Sequence, residues 1–120
     1  MAPFTLDQET RDGVHVLHAH GRLTLGEGAS LLRETVRSIA AGKPASIVLD
    51  MADVGLVDSA GIGELVSAYT STTSQGGRFV MAGLQRRVSD LLQITKLDSV
   101  FKVYENADRA LADLSKPAEP

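Results

Sequence analysis

The rhythm of apolar and polar positions changes several times along this chain, and each change marks an element. Phe4 to Glu9 reads as a strand, Thr10-Arg11-Asp12-Gly13 as a polar turn, and Val14 to His20, ending at Gly21, as a second strand. Asp-Gly between two strand-like runs signals a hairpin, because glycine tolerates the positive φ of the turns that match strand twist. From about Glu27 to Ala41, the apolar residues Leu32, Val36 and Ile39 form one stripe of a helix, closed by Gly42 and barred from continuing by Pro44. Ser46-Ile47-Val48-Leu49-Asp50 is apolar without alternation, which predicts a strand buried on both faces and central in its sheet.

Ile62, Leu65, Val66 and Tyr69 follow the i, i+3, i+4, i+7 spacing of a second helix, which ends in a Ser/Thr tract before Gly76-Gly77. Arg78 to Gly83 is strand-like, Val88, Leu91, Leu92 and Thr95 mark a third helix, and Val100 to Tyr104 is a short strand. Ala107, Ala110, Leu111 and Leu114 place a fourth helix, with Asn106 as its N-cap. The order β-β-α-β-α-β-α-β-α predicts an α/β single domain with a mixed sheet, parallel beyond the opening hairpin and joined by right-handed crossovers. The domain is expected to span residues 1–114, with 115–120 a disordered tail.

Composition narrows the function. At 120 residues with 43% hydrophobic content, the chain has material for one core without a metal or disulfide staple. It has no cysteine, which excludes disulfides, thiolate metal sites and thiol nucleophiles and is compatible with a reducing cytoplasm. The N-terminus lacks a basic patch followed by an apolar run, and no stretch approaches the ~20 apolar residues of a spanning helix, so a cytoplasmic location without membrane insertion is expected. A net charge of -3, 4% aromatic residues and a single basic pair, Arg86-Arg87, argue against a nucleic-acid partner.

The chemistry-bearing stretch is Val57-Asp58-Ser59-Ala60-Gly61-Ile62-Gly63, between the buried strand and its helix. Asp58 and Ser59 stand where N-caps belong, with side-chain oxygens that can accept from the free N–H groups of the first turn. Gly61 and Gly63 are poor helix formers, so the close approach of another backbone or of an anion is one reason for them. A helix start also carries partial positive charge, so a phosphate esterified to Ser59 would be locally favoured while adding roughly -1.5 to -2 charge to the surface. From spacing alone, Asp58 and Ser59 read first as plain caps of the helix and only second as a modification site.

Gly21-Arg22-Leu23, Ile47-Val48-Leu49-Asp50, the Asp58-Ser59-Ala60-Gly61-Ile62-Gly63 signature, Gly76 to Gly83 and Leu97 to Phe101 together resemble the anti-sigma factor antagonists, the bacterial STAS-domain proteins. The resemblance covers almost the whole chain and implies a STAS-like domain with helices packed mainly on one face of the sheet. It implies that Ser59 is phosphorylated by an anti-sigma factor with serine kinase activity and dephosphorylated by a serine phosphatase. The unphosphorylated form would bind the anti-sigma factor and release a sigma factor, with no catalysis, catalytic residue, cofactor or metal of its own. Asp58, Ser59, Ala60, Gly61, Ile62, Gly63 and Thr24 would form the partner-binding surface; Thr24 stands where family members often carry aspartate. Some relatives are instead unphosphorylated scaffold subunits of stressosomes or of lipid and anion transport complexes, and a homodimer is compatible with either role.

Three competing chemistries carry less. A hydrolase would need Ser59 as nucleophile with His15, His18 or His20 as base, yet the first glycine of Gly-x-Ser-x-Gly is missing and no histidine follows Ser59. His18 and His20 point to one side of a regular strand, which makes a metal pair conceivable, but no further ligand is evident. Asp50 ends a buried strand as a phospho-receiver aspartate would, without the acidic pair such a domain needs, and reads as the end of that strand.

Overall fold

The computed structural model describes residues 3–115 and follows the expected order of elements: β1 (Thr5–Arg11), β2 (Val14–Leu23), α1 (Glu27–Ala40), β3 (Ser46–Val57), α2 (Ser59–Ser74), β4 (Arg78–Ala82), α3 (Arg86–Ile94), β5 (Val103–Tyr104) and α4 (Ala107–Leu114). Residues 116–120 of the expected tail lie outside the described residues. Arg11 pairs with Val14 across a two-residue loop in which Asp12 and Gly13 take φ of 52° and 79°. Those are the positive angles that the Asp-Gly pair supplies for a twist-matched hairpin.

The five strands lie in sequence order, β1-β2-β3-β4-β5, with β1 antiparallel to β2 and all other pairs parallel. β3 is central and its side chains alternate between two cores, as the period of two dictates. Ile47, Leu49 and Met51 join Leu32 and Val36 of α1, Leu65 of α2, and Val88 and Leu92 of α3. Val48 lies on the opposite side with Val14, Val16, Val80 and the α4 residues Ala110, Leu111 and Leu114. Three helices therefore cover one face and α4 alone the other. Asn106 caps α4 as expected, its side-chain oxygen accepting from the Arg109 N–H at 2.9 Å.

β1 and β2 run past their expected ends, to Arg11 and Leu23, and two further strand limits differ from the sequence reading. Asp50 is not a strand end, because β3 runs on to Val57. β4 pairs with β3 only as far as Asp50, whereas β2 follows it to Val57 with register breaks between His18 and His20 and between Gly21 and Arg22. Beyond Asp50 only Met51, Val54 and Val57 stay buried, so the unbroken apolar run that marks a two-sided strand stops there. At the other edge β5 is reduced to Val103–Tyr104, because Phe101 turns into the core and meets Tyr69 and Phe79 edge to face at centroid distances of 5.7 and 6.4 Å.

The inward stripe of α2 is Gly61, Leu65, Ala68 and Thr72, one step round the helix from the apolar stripe. Three of the four are small, so α2 sits close to the sheet. The Thr72 hydroxyl is fully buried and donates to the Ala68 carbonyl at 2.8 Å, which leaves no polar group stranded by that approach.

Candidate functional site

The long carboxyl half of β3 delivers Asp58 to the start of α2, beside the end of β2. Asp58 has extended backbone angles, φ -98° and ψ -173°, and is the N-cap. Its Oδ1 accepts from the Gly61 N–H at 2.8 Å, satisfying one of the helix's free donors. Its Oδ2 accepts from the Leu25 N–H at 3.0 Å, and its own N–H donates to the Leu23 carbonyl at 3.3 Å. One carboxylate thus ties the β2–α1 loop, with Thr24 and Leu25, to the start of α2.

Donation from the Leu25 N–H, with that of Gly61 second, holds the Asp58 carboxyl below its ordinary value. The sign follows: stability contributed by this group is complete above the unfolded carboxylate value of about 3.9 and is lost as pH falls through the lower folded value. Asp58→Asn keeps an acceptor for Gly61 but turns an amide donor toward Leu25. Thermal melts of the wild type between about pH 5 and pH 2 should show a steeper acid loss than those of Asp58→Asn, whose position 58 does not titrate. Parallel curves would remove Asp58 from the acid response.

Ser59 is the first residue of α2 and is exposed; among the described residues its Oγ has no hydrogen-bond partner. The capping that spacing alone assigned to either residue is done by Asp58. A Cβ built on Gly61 would lie 2.2 Å from the Leu23 carbonyl oxygen and 2.8 Å from Val57 Cγ1, so this glycine is required by the close passage of β2. Gly63 has nothing within 4 Å of the equivalent position and faces open space. Ala60, Ile62 and Thr24 are half-buried around Ser59. Arg33 of α1 donates to Glu64 of α2 at 2.9 Å and fastens the two helices just beyond the site.

Leu25 was not singled out by sequence reasoning. It is 81% exposed, next to the Asp58 carboxylate. An apolar residue between a strand end and Gly26 breaks the usual polarity of a loop, and that is the signal that marks it.

The histidines lie elsewhere. His18 and His20 do share a sheet face, the one that α4 leaves partly open. His18 Nδ1 is 2.7 Å from Asp50 Oδ2, and His20 lies between Asp53 at 2.9 Å and Asp7 at 3.0 Å. None of these contacts reaches Ser59, and no group of three or more candidate ligands among the described residues is arranged to hold a metal ion. Among the described residues no helix is long and apolar enough to cross a membrane.

Fold and site together define an α/β domain that presents a serine on a separately capped helix at the carboxyl edge of a mixed sheet. The sequence matches the STAS domain over residues 5–110, and the chain belongs to that family. A Thermotoga neapolitana protein, named an anti-sigma factor antagonist by homology, is 35% identical over 68 residues, covering 57% of this chain and 60% of its own. The anti-sigma F factor antagonist of Paenibacillus polymyxa is 23% identical over 109 residues, 91% of this chain and 93% of its own. The chain spans 60–62% of the length of the first curated relatives it matches. Among solved structures, a Thermotoga maritima protein described as a candidate anti-sigma factor antagonist superposes with a TM-score of 0.83 at 25% identity over 92% of this chain and 95% of its own. Bacillus SpoIIAA in its phosphorylated form shares the fold, with a TM-score of 0.69 at 16% identity over 92% and 98%.

Proposed function

We propose that this protein is an anti-sigma factor antagonist controlled by phosphorylation of Ser59. The unphosphorylated chain binds an anti-sigma factor with serine kinase activity and so releases a sigma factor; the phosphorylated chain does not bind, and a serine phosphatase restores it. The protein is substrate and ligand in this cycle and performs no catalysis. The carrying observation is the division of labour at the start of α2: Asp58 holds the cap, and Ser59 is exposed with its hydroxyl unengaged.

Physical chemistry supports a switch at that place. A phosphate on Ser59 would meet the positive end of α2 and its free N–H groups, so the fold tolerates it. A partner docked over Asp58, Ser59, Ala60, Ile62, Gly63 and Thr24 would have to strip water from that charge, and a buried charge without a partner is costly. SpoIIAA has been solved both unphosphorylated and phosphorylated, with the same TM-score of 0.69 to this chain, so in that protein the fold accommodates a phosphate. Gly61 serves internal packing, while Gly63 is the glycine open to a partner.

Incubation with the anti-sigma kinase and ATP should add one phosphate to the wild type and none to Ser59→Ala, read by intact-mass spectrometry. Equal incorporation in the two proteins would sink the assignment. Full binding with no incorporation in either would favour an unphosphorylated scaffold.

A further inference from the structure

Beside the Ser59 surface lies an open groove that the docking surface proposed above does not include. Because β4 stops opposite Asp50, β3 has no strand partner on that side from Met51 onward. The β4–α3 loop covers only the beginning of this edge, where Gln85 Nε2 donates to the Ala52 carbonyl at 2.9 Å. Further along, the end of β3 and the flank of α3 enclose about 550 Å³. Leu56 forms one wall, and Arg86, Arg87, Asp90, Leu91 and Ile94 form the other.

Two features set this groove apart from an ordinary surface. Leu56 is 38% and Ile94 78% exposed, so large apolar side chains face water on both walls. Arg86 and Arg87 occupy the first turn of α3, where cations add to the positive end of the helix instead of offsetting it. The N-cap Gln85 gives no side-chain cap bond there, and among the described residues neither arginine has a carboxylate within 4.0 Å. Even with Asp90 on the same wall, two arginines against one carboxylate leave the groove positive on a chain of net charge -3, and arginines at an unfavourable helix position are complementary to negative charge from outside. Leu56 and Val57 lead directly into Asp58 and Ser59, so the groove is continuous with the proposed docking surface.

We infer that this groove is the second half of the partner interface, taking an acidic segment of the same anti-sigma factor whose apolar side chain seats between Leu56 and Ile94 and whose carboxylates pair with Arg86 and Arg87. The inference rests on the proposed function and extends its surface to α3.

The test uses the full chain, isotopically labelled, with the anti-sigma kinase that phosphorylates it as the probe. Amide signals of residues 86–94 should shift together with those of 58–63. The double variant Arg86→Glu/Arg87→Glu and the single variant Ile94→Asp should each weaken binding by about tenfold or more. Charge reversal in the first turn should raise the Tm of the double variant, so its lost affinity cannot come from unfolding. Wild-type affinity in both variants, with shifts confined to 58–63, would overturn the groove and leave the proposed function standing. No binding by the wild type would overturn both. A wild-type dimer that falls apart in Ile94→Asp while kinase binding is unchanged would assign the groove to a second copy and overturn the inference.

Discussion

Replacing Gly61 by alanine is expected to destabilise the domain by about 2–4 kcal/mol and lower the Tm by roughly 10 °C or more. The usual expectation is the reverse, since alanine in a helix is favoured over glycine by about 1 kcal/mol. Geometry decides the sign: the new methyl would sit 2.2 Å from a backbone oxygen of Leu23, which cannot move without shifting the end of β2. That shift would also displace Leu25 and break its hydrogen bond to Asp58, so partner binding should fall with stability. Gly63→Ala is the control, because it meets nothing within 4 Å and should gain the helix benefit of about 0.5–1 kcal/mol. A Gly61→Ala melt equal to wild type would show that β2 and α2 are not packed as described.

Ser59→Asp should weaken binding of the anti-sigma factor by about tenfold to a hundredfold, with circular dichroism and Tm unchanged. The side chain is exposed and its hydroxyl makes no bond that the fold needs. A carboxylate on the first residue of α2 is also compatible with the positive helix end, so the domain itself loses nothing. The penalty falls on the complex, where the charge is desolvated without a partner. Aspartate brings one charge against the roughly -1.5 to -2 of a phosphate, so the variant should be a partial mimic. An affinity equal to wild type would remove electrostatics as the basis of the switch.

Much of the fold was legible because local rules and tertiary packing agree. Asp12-Gly13 forms the hairpin it encodes, Asn106 caps α4, and the unbroken run from Ile47 to Leu49 is the two-sided centre of the sheet. The second half of β3 was not, because a strand that loses one neighbour loses its continuous apolar signal while keeping its pairing to β2. Gly61 was conspicuous in the sequence, but its reason was not: the Leu23 backbone it accommodates lies 38 positions earlier and reaches it only through the β2–β3 pairing. For the same reason spacing could not divide the roles of Asp58 and Ser59, whereas the structure gives the cap to one and leaves the other unengaged. The expectation of a phosphate on Ser59 came from family resemblance, and the groove beside that residue was hidden because Leu56 and Ile94 belong to elements that meet only in three dimensions.

The central claim is that one phosphate on Ser59 turns a binding surface off without unfolding the domain. Titration calorimetry of a single preparation against the anti-sigma factor, before and after stoichiometric phosphorylation, tests it most directly. The account predicts a loss of affinity of about a hundredfold or more with an unchanged melting profile. Equal affinity before and after phosphorylation would contradict it.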